Sequence, residues 1–153
     1  MNKILITITI IFSALLMISS CQKDERFEKS LTGTWKIAKV ESTKIFNDGT
    51  VEIVDKQENA GSFNFYYDNS NLSVFDFTYL LNGQTQHGEL VYYGIDDHAK
   101  RIIIYGGVCI SCDIAYTIEK SSGNKLEMST YDLEQQGLST DFVYKLKFYL
   151  EKE

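Results

Sequence analysis

The chain has 153 residues, 21 acidic against 15 basic side chains, and a net charge of −6. That balance argues against nucleic acid as a partner, because a basic patch supplies most of the binding energy there. Ten tyrosines and nine phenylalanines with no proline favour strand, in a chain of single-domain length.

Residues 1–20 read as a leader. Lys3 is a lone positive charge ahead of 15 uncharged residues, Ile4 to Ile18. A spanning helix needs about 20 apolar residues, so the run is short for one and has the layout of a signal peptide. Its exit, Ile18-Ser19-Ser20-Cys21, resembles the lipobox of bacterial lipoproteins. An ordinary cleavage site is the rival, but it favours a small residue where Ile18 stands. The resemblance implies that Cys21 is lipidated and becomes the first mature residue. Two or more acyl chains of the palmitate class make such an anchor stable. The expected location is the cell envelope, on the outer membrane, with the leaflet left open. Removing the leader leaves 133 residues and takes away Lys3, so the mature charge is −7.

Residues 21–30 read as a charged flexible tether, with Lys23, Asp24, Glu25, Arg26, Glu28 and Lys29 in close succession. The folded domain is expected over 31–153. From Leu31 onward the apolar pattern has period two, which marks strands with one buried face. Phe63, Phe65 and Tyr67 alternate with polar neighbours, as do Phe75, Phe77, Tyr79 and Leu81. Ile110, Cys112, Ile114, Tyr116 and Ile118 form another stripe, and Phe142, Tyr144, Leu146, Phe148 and Leu150 the clearest one. Shorter strands fit at Val51–Val54, Glu89–Tyr93, Arg101–Tyr105 and Lys125–Tyr131. After Ile37 the apolar phase slips, which predicts a bulge in a long first strand. Turn residues such as Asn47-Asp48-Gly49, Asn82-Gly83 and Gly123-Asn124 separate the runs.

Eight or nine strands with short connections pair antiparallel with their chain neighbours. A long meander with one apolar face hides its edges by closing. The expectation is an all-β, antiparallel up-and-down barrel. Leu31-Thr32-Gly33-Thr34-Trp35 opens the first strand, and Gly33 with Trp35 resembles the Gly-x-Trp motif of the lipocalin family. The layout is similar to lipocalin-like (calycin) domains of small bacterial envelope lipoproteins. That resemblance implies a barrel closed at one end by Trp35 and a small, mainly apolar ligand. The inward set expected to contact it is Trp35, Phe63, Phe65, Phe75, Phe77, Tyr79, Tyr116, Phe142, Tyr144 and Phe148. Ten such rings are also enough to fill the interior.

Cys109-Ile110-Ser111-Cys112 is a CxxC that runs into a strand rather than opening a helix, which speaks against redox catalysis. A structural disulfide needs a turn there, which Gly106-Gly107 permits; unpaired thiols are the alternative. His87 and Glu89, or Asp96, Asp97 and His98, can be drawn as acid–base groups but fit solvated positions better. Neither histidine has metal-ligand spacing. No cofactor, metal site or catalytic residue is expected. The alternative to a ligand carrier is an interaction module that docks on an envelope protein or glycan through outward Tyr66, Tyr92, Tyr105 and Tyr149.

Overall fold

The computed structural model of the chain describes residues 25–69, 71–96, 100–105, 114–131 and 141–153. The leader, Cys21, Asp97, His98, Cys109, Cys112 and the segment 132–140 lie outside these residues.

Eight antiparallel strands follow one another in chain order: β1 Gly33–Phe46, β2 Val51–Tyr67, β3 Ser73–Leu81, β4 Gln84–Asp96, β5 Arg101–Tyr105, β6 Ile114–Ser122, β7 Lys125–Tyr131 and β8 Phe142–Lys152. Each pairs with its neighbours, and β1 pairs with β8, so the sheet is a closed up-and-down barrel. This is the closed antiparallel up-and-down barrel that the alternation predicts. The count is eight because segments 51–54 and 62–67 belong to one bent strand, β2.

The bend has a local cause. Register shifts fall between Ile37 and Lys39 and between Ser42 and Thr43, where β2 carries extra residues opposite β1. The bulge predicted from the phase slip lies at the first of these sites, where β1 carries an extra residue opposite β8. It turns Val40 inward after Ile37, and both side chains are fully buried. Gly61 sits opposite Ile37 at φ +139°, and a Cβ there would stand 1.9 Å from the Thr78 carbonyl oxygen. Only glycine lets β2 approach β3 that closely. Gly33 also adopts a positive φ, +118°, with room for a Cβ at 3.4 Å from Lys152. Backbone conformation rather than close approach is therefore what Gly33 provides.

A short helix, α1, occupies 25–31, within the stretch where the sequence favours a tether. Glu25 and Lys29 make an i,i+4 ion pair at 2.6 Å on its outer side. Phe27 and Leu31, also four apart, face the barrel; Leu31 is buried and Phe27 packs against the core. The Trp35 indole N–H donates to the Leu31 carbonyl at 2.6 Å, and Lys152 Nζ donates to the Ser30 carbonyl at 2.7 Å. Ser73 donates to the Glu28 carboxylate. Helix and tryptophan together plug the end of the barrel at which β1 begins.

Candidate functional site

The inward face of the barrel is built in layers from the plugged end upward. Trp35, Phe63, Phe65, Phe75, Tyr79, Tyr116 and Phe148 are buried in one apolar cluster, and Phe77 packs against it half-buried. These eight of the ten expected ligand-facing rings lie against one another. Phe63 has ring centroids at 5.5–6.2 Å from Phe65, Phe75, Phe77, Tyr79 and Phe148. Phe65 stacks on Phe75 at 5.3 Å, and Tyr79 meets Phe148 edge-on at 5.2 Å. Gly88 leaves the space that the Phe77 ring fills, since a Cβ there would stand 2.4 Å from it. In the lower barrel the rings therefore act as core.

Tyr93 belongs to this cluster and escaped the sequence reading. A register shift between Phe75 and Phe77, with Leu90 at φ +51°, changes the phase of β4 and turns Tyr93 inward. It contacts Phe65 at 5.4 Å and Phe75 at 6.0 Å. Burial, and then the Glu28 charge, push its phenol well above the ordinary tyrosine value.

The remaining two expected residues, Phe142 and Tyr144, form a separate group at the opposite end. In the β1–β8 register, Phe46 faces Phe142, Lys44 faces Tyr144 and Ser42 faces Leu146. All six share the inward side. Phe142 meets Tyr144 at 5.3 Å and Phe46 at 5.8 Å, edge-on in both pairs. Lys44 Nζ lies 4.3 Å from the Phe142 ring centroid. Ser42 beneath it is fully buried, and its Oγ has no hydrogen-bond partner. Lys44, Phe46 and Ser42 were missed from sequence. Their signal is parity: past the bulge, every second residue from Val40 points inward, polar or not.

The outer face carries the charged groups. His87 Nε2 lies 3.3 Å from Glu89, its Nδ1 lies 3.0 Å from Thr78 Oγ1, and both side chains are solvated. Asp96 pairs with Arg101 at 2.6 Å in the open. Among the described residues no cluster of His, Cys, Asp or Glu has metal-binding geometry. Two shallow outer concavities, of about 220 and 140 Å³, are lined by residues such as Thr117, Ser129 and Lys145, and Ala38, Tyr149 and Glu151. Of the outward tyrosines, Tyr66 donates to Asp76 at 2.9 Å and Tyr149 to Glu41 at 2.8 Å. Tyr92 and Tyr105 pair across β4 and β5 and stay exposed.

No family model and no curated protein matches the chain. Among solved structures it is similar to a deswapped triple mutant of bovine odorant-binding protein. That match has 16% identity over 81% of this chain and 74% of the other, with a TM-score of 0.46. It is also similar to a redesigned β-barrel, at 13% identity over 84% and 96% of the two chains and a TM-score of 0.43. Nothing about ligand or activity follows from likeness at this level.

Proposed function

We propose that this chain is a non-enzymatic binding barrel, anchored in the bacterial envelope through a lipidated Cys21, that takes a small and mainly apolar ligand at the end opposite α1. The observation that carries the reading is the asymmetry of the closed barrel. One end is sealed by α1 and Trp35. The other presents half-buried Phe46, Phe142 and Tyr144 around a lysine. Small-molecule sites are concave, apolar and ringed by a few placed polar groups, and barrel mouths are a usual place for them. The anchor is supported by the lipobox-like exit at Cys21.

The test is native mass spectrometry of the full chain extracted from its own membrane. A retained small molecule on a protein that carries acyl mass at Cys21 supports both parts. A Cys21→Ser chain that stays membrane-bound overturns the anchor. An empty barrel that also fails to take up any of a broad apolar panel overturns the ligand.

A second reading, docking on another protein or glycan, is favoured by one observation. Val51, Ile53 and Val54 are exposed along the part of β2 that, among the described residues, pairs with β1 alone. Apolar strand edges left open invite a partner. A stoichiometric protein co-purifying with the full chain, and lost from an Ile53→Lys variant, would favour it.

A further inference from the structure

The end of the barrel opposite α1 holds a lysine that no carboxylate among the described residues pairs with. Lys39, Lys145 and Lys147 on the outer face each hold a carboxylate within 2.9 Å. Lys44 points inward and, among the described residues, has only rings for company: Phe142, Tyr144 and Phe46 at 4.3, 5.7 and 6.0 Å from its Nζ. A ring face attracts an ammonium without neutralising it. One step deeper on the same face, Ser42 is wholly buried with its hydroxyl unpaired. A buried hydroxyl without a partner costs free energy, so native structures rarely keep one without reason.

The two groups stand about 7 Å apart along the strand, a gap the flexible lysine stem can fold across. Both offer hydrogen-bond donors, an ammonium and a hydroxyl. Around them are half-buried rings and buried Leu146, an apolar setting in which a charge interaction is stronger than in open water. A donor pair in an apolar collar suits an anionic head on an apolar body. We propose that Lys44 and Ser42 form a head-group subsite that selects a carboxylate-bearing apolar ligand. Lys44 pairs with the carboxylate, Ser42 donates to it, and the ligand's first carbons lie against Phe46, Phe142 and Tyr144. The proposal rests on the reading of the barrel as ligand-binding and adds the chemical class.

Calorimetric titration of the full chain with octanoate and with 1-octanol separates the two claims. The wild type is expected to bind octanoate about tenfold or more tightly over the alcohol, the scale of a charge-assisted hydrogen bond. Lys44→Gln should erase that preference while keeping the alcohol affinity, and Lys44→Arg should retain it. Ser42→Ala should weaken octanoate alone and, by removing an orphan hydroxyl, raise the unfolding midpoint. Equal affinity for acid and alcohol in the wild type, or equal loss of both in Lys44→Gln, overturns the head-group subsite and leaves the reading of an apolar ligand standing. Binding of neither overturns both.

Discussion

Phe148 is the ring on which the barrel's two halves meet. It is fully buried and touches Phe63, Tyr79 and Tyr116 with centroids 5.5, 5.2 and 5.8 Å away. These partners come from β2, β3 and β6, so no single neighbour can move to fill its place. Phe148→Ala is expected to cost about 3–5 kcal/mol, read as a fall in the urea unfolding midpoint followed by Trp35 fluorescence. Gly61 makes a sharper test, because its cost is steric rather than hydrophobic. Gly61→Ala drives a Cβ into the Thr78 carbonyl, whereas Gly49→Ala, at φ +86°, meets nothing within 4 Å. The second substitution should cost only the left-handed strain of about 1–2 kcal/mol. The first should exceed it, and equal costs in the same denaturant titration would mean that β2 does not approach β3 as closely as described.

At the scale of elements, β6, β7 and β8 are stitched on their outer side by one carboxylate. Glu119 accepts from Lys145 at 2.7 Å and from Ser129 at 2.8 Å, and it pairs with Lys147 at 2.7 Å. The hydrogen bonds from Lys145 and then Lys147 hold its pKa down to about 2, from an ordinary value of 4.5. A carboxylate whose pKa is depressed on folding stabilises the protein above its unfolded value and loses that contribution as the pH falls through its folded one. Between about pH 6 and about pH 2.5 the wild type should therefore lose about 1 kcal/mol more unfolding free energy than Glu119→Gln, since partly exposed pairs are screened. Parallel pH profiles for the two chains would remove Glu119 from the account. Elements also mark the limit of what alternation reveals. β5 and β7 were legible to the residue, because Ile102 and Ile104, and Leu126 and Met128, keep strict parity between turn signals. β4 was legible only in part, because its phase changes near Leu90 and moves Tyr93 to the core without any local composition signal. Of the mouth group, Phe142 and Tyr144 were legible in the parity of β8, whereas Lys44 reads as a surface residue until the bulge after Ile37 fixes which side of β1 it occupies. The Phe27–Leu31 spacing does announce a helical turn, yet the two turns described over 25–31 need the barrel to stabilise them, and the charges around them look like linker.

For the whole molecule, an anchor at Cys21, as proposed above, would tie the plugged end of the barrel to the membrane. α1 is described from Glu25 onward and is bound to the barrel through Leu31, Trp35 and Glu28. From Cys21 to Glu25 the chain can span at most about 14 Å. With Cys21 as the anchor, the plugged end must therefore sit near the bilayer. The β6–β7 turn shares that end, as Lys152 N donates to the Asn124 carbonyl at 2.8 Å and Glu153 N to the Thr34 carbonyl at 3.0 Å. The β3–β4 turn lies at the other end, where Asn82 N donates to Asp55 at 3.0 Å beside the β1–β2 hairpin. The charge of −7 that removal of residues 1–20 would leave favours this upright pose over one lying flat on anionic lipid. A ligand would then enter from the aqueous side rather than from the membrane. In vesicles carrying a surface acceptor dye, a donor fluorophore at Asn124 is expected to transfer energy more efficiently than one at Asn82. The reverse order would place the mouth against the lipid, and with it a ligand drawn directly from the bilayer.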